Sequence, residues 1–194
     1  MPILISSSYQ AVPERHYAQA WGEGIATVDF PSSTHSHLPP SFTVLALSPH
    51  PSRDVWTYAT SGMSEGMAAQ IELYAVSNHA TDAIPEFLAA IASFHQEMGG
   101  VGPGDTVNLG KGWAEGSLCE YALISLPYLD GPSLGTLAAA GRTVHIYWLL
   151  PLTKAEVEFK KLNGLEALEA ALKTSGFNYL DMMRPSVIHA RPGA

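Results

Sequence analysis

At 194 residues the chain is long enough for one large domain or two small ones, and 46% hydrophobic against 14% charged residues give ample core material. Ten basic residues against eighteen acidic ones leave a net charge of −8. That balance argues against a protein built to grip nucleic-acid backbone, which needs clustered Lys and Arg, and it suits either plain solubility or steering toward a basic protein partner.

The opening stretch "MPILISSSYQ" has no basic segment and only three consecutive apolar residues, unlike a secretory leader. No apolar run approaches the roughly 20 residues that a membrane span needs. The expectation is a soluble cytoplasmic protein, one domain over residues 1–194, with flexible ends at 1–8 and 190–194. "PERHYAQAW" (13–21) predicts a short helix with Pro13 at its first position and Gly22 just beyond its end. "TVDF" (27–30) predicts a short strand and "PSSTHSHLPPS" (31–41) a loop. "FTVLAL" (42–47) and "VWTYATS" (55–61) are rich in β-branched and aromatic residues and predict neighbouring strands. "QIELYAV" (70–76) alternates, with Ile71, Leu73 and Ala75 on one face and Glu72 and Tyr74 on the other.

From Thr81 the period becomes helical. Ile84, Phe87, Leu88, Ile91, His95 and Met98 form one stripe, Pro85 sits in the first turn and Gly99-Gly100 supply a stop. "VGPGD" (101–105) reads as a tight turn, and "CEYALISL" (119–126) and "TVHIYWLL" (143–150) as apolar strands. Cys119 is the only cysteine, which rules out an intramolecular disulfide and a thiolate metal cluster. Thr153-Lys154-Ala155-Glu156 is a capping box opening a helix that should stop near Asn163-Gly164. A second helix with Leu165, Leu168 and Leu172 on one stripe ends at Gly176. Strands in succession with helices segregated from them predict an α+β fold.

Gly62-Met63-Ser64-Glu65-Gly66 matches the G-x-S-x-G pattern of a hydrolase nucleophile elbow. Such an elbow leads from a strand into a helix, whose N-terminus supports the oxyanion. Here "MAAQIELYAV" follows with strand period, so the glycines read as hairpin residues and Ser64 as a turn residue. His79, His95, His145, His189 and Asp130 lie downstream, but any chain this long offers such residues. His35-Ser36-His37 could present two imidazoles to a metal, yet no third ligand has recognisable spacing. "GGVGPGDTVNLGKGW" lacks the G-K-[ST] of a phosphate loop, since Lys111 precedes Gly112. Glu72 reads either as a solvent-facing residue, which the pattern favours, or as a buried paired acid. Trp56, Tyr58 and Tyr74 cluster around the same hairpin, as core packing or as an aromatic contact surface. No set of residues assembles a nucleophile, base and oxyanion donor.

"DVWTYATSGMSE" (54–65) followed by "QIELYAVSN" (70–78) resembles the suppressor-of-fused domain family, with its W-x-Y-x-[TS]-x-G-[ML]-S-[DE] segment and a following strand bearing an E-L pair. The matching positions are Trp56, Tyr58, Gly62, Met63, Ser64 and Glu65, then Glu72 and Leu73. "GDTVNLG" (104–110) is similar to the family's strand after the middle helix, "VHIYWLLPLTKAEVEFKKLNGLEALEAAL" (144–172) to its apolar strand and paired helices, and "YLDMMRPSV" (179–187) to its closing segment. The resemblance covers roughly residues 13 to 190. It implies a single-domain α/β sandwich, a mostly antiparallel mixed sheet packed against helices, with no cofactor and no metal. It implies a structural role for the G-[ML]-S-[DE] segment, with no hydrolase activity attached. Animal members bind zinc-finger transcription factors of Hedgehog signalling by clasping a peptide that extends a sheet, and the tyrosine matching Tyr58 lies in their peptide-binding region. The chain shows no counterpart of their second domain or long insert, so clasping between two domains does not carry over. Short members look bacterial, and many are regarded as immunity proteins of polymorphic toxin systems.

The expected function is therefore a non-enzymatic protein-binding domain, an immunity-type inhibitor masking a cognate toxin or other protein partner, with no nucleic-acid or membrane partner. The candidate contact residues are Trp56, Tyr58, Ser64, Glu65, Glu72 and Tyr74. The alternatives are a regulatory module that adds a peptide strand to a sheet edge near Tyr58 and Tyr74, and a serine hydrolase using Ser64.

Overall fold

A computed structural model describes residues 6–28, 37–139 and 141–188, with side chains from residue 12 onward. In chain order the elements are α1 (Ser6–Trp21), β1 (Ala26–Val28), β2 (Thr43–Leu47), β3 (Trp56–Ser61), β4 (Ile71–Ser77), α2 (Ala83–Met98), β5 (Thr106–Asn108), β6 (Cys119–Ser125), β7 (Thr136–Ala139), β8 (Arg142–Thr153), α3 (Lys154–Asn163) and α4 (Leu165–Ser175). The strands form an eight-stranded mixed sheet in the order β1-β2-β3-β4-β8-β6-β5, with β7 on β8. The chain has an α+β fold, as its pattern of elements predicts. Its contacts gather into two compact units, Met1–Pro103 with Ser125–Leu149 and Gly104–Ile124 with Leu150–Ala194.

In the first unit, β1, β2, β3 and β4 form an antiparallel meander, and β4 then pairs in parallel with β8 through Ile71↔His145 to Tyr74↔Trp148. All seven residues of β4 are buried. Successive side chains of a strand point to opposite faces, so both faces of β4 are covered. Alternation of polar and apolar residues therefore did not mark a wet face, and Glu72 is buried rather than solvent-facing. Beside β4 an aromatic column runs from Tyr17 and Trp21 of α1 (ring centroids 4.6 Å apart) through Tyr74 (5.3 Å) to Trp148 (6.5 Å). α2 forms as its stripe predicts. Ile84, Leu88 and Ile91 are at most 1% exposed, each burial contributing about 1.5–3 kcal/mol. Gly99 ends the helix in the left-handed conformation, with φ 81°. Met98, expected on the buried stripe, is 66% exposed.

α1 starts a full two turns before the expected position, at Ser6, so Pro13 lies inside the helix and residues 6–8 are helical rather than a loose end. The remaining residues of the expected flexible ends, 1–5 and 190–194, lie outside the described residues, as do Asp29 and Phe30 of the predicted strand 27–30. β7, "TLAA", carries too few β-formers to be read from its sequence and forms because β8 supplies a partner, Thr136↔His145 to Ala139↔Arg142.

In the second unit, β5 and β6 pair antiparallel from Thr106↔Leu123 to Asn108↔Tyr121, the β5 strand falling where the family resemblance places one. Gly104 N–H donates to the Ile124 carbonyl (2.7 Å) and closes that pair. The predicted capping box is present, with the Thr153 hydroxyl accepting from Glu156 N–H and the Glu156 carboxylate accepting from Thr153 N–H. Gly164 separates α3 from α4, whose Leu168 and Leu172 are buried.

Candidate functional site

The segment singled out by its sequence, Gly62 to Gly66, lies in the connection between β3 and β4, and it does reverse the chain between two paired strands. Gly62 has φ 87°, and a Cβ there would lie 2.9 Å from the Ser41 carbonyl oxygen, so only glycine fits. Side chains from four other places hold the turn. Gln96 Nε2, on α2, donates to the Met63 (2.8 Å) and Glu65 (3.2 Å) carbonyls. Gln70 Nε2 donates to the Ser64 carbonyl (3.0 Å) and to that of Met67. Arg142 donates to the Met67 carbonyl (3.1 Å), and the Ser41 hydroxyl donates to the Glu65 carboxylate.

Ser64 is completely buried, and its hydroxyl meets an imidazole, that of His95, at 3.2 Å. This pairing of a motif serine with a histidine resembles half of a catalytic dyad, but its hydrogen bonds run the wrong way. Val101 N–H donates to His95 Nδ1 (3.0 Å), which fixes Nδ1 as the acceptor and places the ring hydrogen on Nε2. The imidazole therefore offers Ser64 a hydrogen, whereas a general base must offer a lone pair. The serine's own hydrogen goes to the Ile71 carbonyl (2.7 Å), and its oxygen accepts from Ile71 N–H (2.9 Å). Burial lowers the His95 pKa, with a backbone hydrogen bond at Ala69 acting in the opposite direction, so the ring is neutral at pH 7. The strand β4, not a helix, follows the turn, so the serine does not lead into a helix N-terminus as an elbow requires. Ser64 and His95 are thus a closed structural knot between the turn, β4 and α2.

Glu72 braces the same turn. Its carboxylate accepts from the Thr60 hydroxyl (2.5 Å), Gly62 N–H (2.8 Å) and Met63 N–H (3.4 Å). All three donors are neutral. Burial is the dominant influence and pushes its pKa up to about 7 against these hydrogen bonds.

The six candidate contact residues therefore separate. Ser64, Glu72, Tyr74 and Tyr58 are buried, while Trp56 and Glu65 are half-buried. The aromatic cluster separates too. Trp56 stacks on Tyr58 (6.2 Å), and Tyr74 belongs to the column with Trp21 and Trp148. The Tyr58 hydroxyl accepts from Thr81 N–H (2.9 Å), and burial raises its pKa. β3 lies between β2 and β4, and β4 between β3 and β8, so no sheet edge is open near Tyr58 or Tyr74. That corrects the expected place of strand addition.

The other histidines and acids do not join this site. His79 and His145 are exposed, and Asp130 pairs with Arg53 and accepts from Trp21 Nε1 (2.9 Å). His189 and His35 lie outside the described residues. His37 meets Glu97 at 3.3 Å on the surface, and Lys111 is exposed in a turn-rich stretch after β5. Among the described residues no group of three or more His, Cys, Asp or Glu is placed to hold a metal. Ser41, Gln70 and Gln96 were missed by sequence reasoning. They act through side-chain bonds to backbone carbonyls, and single polar residues in such roles leave no periodicity or motif.

The architecture defines the class: an α+β protein whose mixed sheet carries the G-M-S-E turn between two interior strands. The chain belongs to the Suppressor of fused protein (SUFU) family, whose sequence profile matches residues 39–185. A crystal structure assigned as a SUFU homolog from Neisseria gonorrhoeae FA 1090 is similar at a TM-score of 0.82 and 28% identity, covering 95% of this chain and 99% of that one. A chain of the Sufu–Fu complex is similar at a TM-score of 0.64 and 16% identity, over 93% of this chain and 92% of that one. Drosophila Suppressor of Fused is similar at 0.67 and 15% identity, and this chain spans 51% of its length. At such identities the last two show the fold alone. No curated protein matches the chain significantly. No helix among the described residues is long and apolar enough to cross a membrane.

Proposed function

We propose that this chain is a non-enzymatic protein-binding domain, an immunity-type inhibitor that masks a cognate protein such as a toxin domain in the cytoplasm. The observation that carries the non-enzymatic part is the orientation of the Ser64–His95 pair, in which every hydrogen-bonding position of the hydroxyl is occupied inside the fold. The protein-binding part is supported by family membership and by the similarity to a chain of the Sufu–Fu complex. The net charge of −8 favours a basic partner, attracted by steering and then held by surface contact. Trp56 and Glu65, which keep surface exposure, are the contact residues, and Tyr58, Ser64, Glu72 and Tyr74 support them from within.

Three experiments test this reading. The chain used as bait in its native host should recover a specific protein, and co-expression should relieve growth arrest caused by a toxin encoded beside it. Recovery of no partner, together with no neighbouring toxin, would sink the proposal. An organophosphonate probe should leave the chain unlabelled; labelling that disappears in Ser64→Ala would establish the hydrolase reading in its place. A regulatory peptide-binding module is the second reading, favoured by the two strands, β1 and β5, that end the strand order.

A further inference from the structure

α1 and β1 enclose an open groove of about 390 Å³ within the first unit. Its floor is apolar. Thr27 and Leu45 are register partners across β1 and β2, Leu45 is buried, and Ile25 and Ala18 are half-buried beside them. Its wall is acidic. Glu14 and Ala18 stand one helical turn apart and both line the groove, as does Glu23 in the turn that follows α1. Arg15 also lines it, so two carboxylates face one guanidinium. Among the described residues none of these three charges forms an ion pair.

The backbone beside the groove is available as well. β1 ends the strand order and pairs only with β2 among the described strands, so part of its N–H and C=O set points away from the sheet. Gly22 (φ 104°) and Gly24 (φ 99°) turn the chain sharply out of α1 and leave Glu23 exposed between them. An apolar floor, two carboxylates and a main-chain edge that no other described strand covers occur together here.

We propose that this groove receives an extended segment of the protein partner in which an apolar residue is flanked by lysine or arginine. The segment's backbone pairs with the free side of β1, its apolar side chain covers Ile25 and Leu45, and its cation meets Glu14 or Glu23. The assignment rests on the protein-binding reading above and locates one contact surface for it.

The test is an amide-resolved NMR titration of the full chain with a peptide of about nine residues alternating valine with lysine, and with its valine–glutamate counterpart. The lysine peptide should shift the amides of residues 23–28 and Leu45 saturably. The glutamate peptide should bind at least about tenfold more weakly, and the variant carrying Glu14→Lys and Glu23→Lys should invert that preference. Ile25→Asp should weaken both peptides, with chain folding checked from the unshifted amides. Equal response to the two peptides, shifts confined to other residues, or no saturable shift would overturn the proposal. A native partner that binds the double charge variant undiminished would overturn the groove assignment and leave the protein-binding reading standing. Failure to recover any partner strikes that reading instead, and the titration then decides the groove.

Discussion

Two carboxylates, one in each unit, are equally buried and differ in what answers their charge. Glu156, in the second unit, meets the Arg184 guanidinium at 2.6 and 2.9 Å and also accepts from Thr153 N–H (2.8 Å) and Val187 N–H (2.9 Å). Burial alone would raise its pKa, but Arg184 and the two amides hold it below the ordinary carboxylate range. Glu72, in the first unit, has three hydrogen-bond donors and no cation among the described residues, and its pKa rises to about 7. Both acids are well supplied with donors. The countercharge, rather than the count of hydrogen bonds, decides which of them is ionised without penalty.

The largest effect that would break this contrast is loss of the cation. Arg184→Met should leave Glu156 as a buried anion without a partner, at a cost of about 3–5 kcal/mol in urea denaturation. Arg184 also donates to the Pro151 carbonyl (2.8 Å), which adds one unpaired acceptor. Adding Glu156→Gln to Arg184→Met should recover a large part of the loss. If the double variant is as unstable as the single one, packing of the guanidinium, not charge, is what matters there.

Glu72→Gln sharpens the contrast by removing the charge while keeping an acceptor for Gly62 N–H. In the folded state the pKa of about 7 exceeds the ordinary 4.5, so folding favours the protonated acid. Above pH 7 the full penalty is present. As pH falls from about 7 to 4.5 the folded chain takes up a proton that the unfolded chain does not, and stability rises by roughly 3 kcal/mol. His95 opposes this. Its lowered pKa means that the unfolded chain binds a proton first, so stability falls as pH drops below 6.5. Glu156 does not act in this range, because its lowered pKa makes stability fall only as the pH drops below the ordinary 4.5. Glu72→Gln should therefore be more stable than the parent at pH 8, and its stability should decline, not rise, on acidification toward pH 5. Parallel pH profiles for the two proteins would refute the account of Glu72.

The two acids also differ in how much of their setting can be read from sequence. The turn from β8 into α3 is legible because Thr153 and Glu156 are three residues apart and the box is a local motif. Gly62 and the strand period after Ser64 likewise locate the hairpin, and the stripe from Ile84 to Ile91 locates α2. Of the two readings of Glu72, the alternation favours the solvent-facing one and the structure has the buried one, because period two reports a wet face only for a half-covered strand and β4 is central. The Ser64–His95 contact joins residues on a turn and a helix whose docking no local pattern encodes. Arg184 could be found only as part of a family segment, since nothing in its neighbourhood points to Glu156.

The smallest expected effect isolates the motif from the charge. Thr153→Ala removes the hydroxyl that accepts Glu156 N–H at 3.4 Å. The reciprocal bond survives, because it runs from the Thr153 backbone N–H to the Glu156 carboxylate (2.8 Å). The cost should therefore fall near 1 kcal/mol, at the ordinary level for a lost N-cap. The Arg184–Glu156 pair is untouched, so this cost should be the same at pH 8 and pH 5.5. A cost that changes between those pH values would mean that the hydroxyl helps set the charge state of Glu156, and the cap and the ion pair would then form one coupled unit.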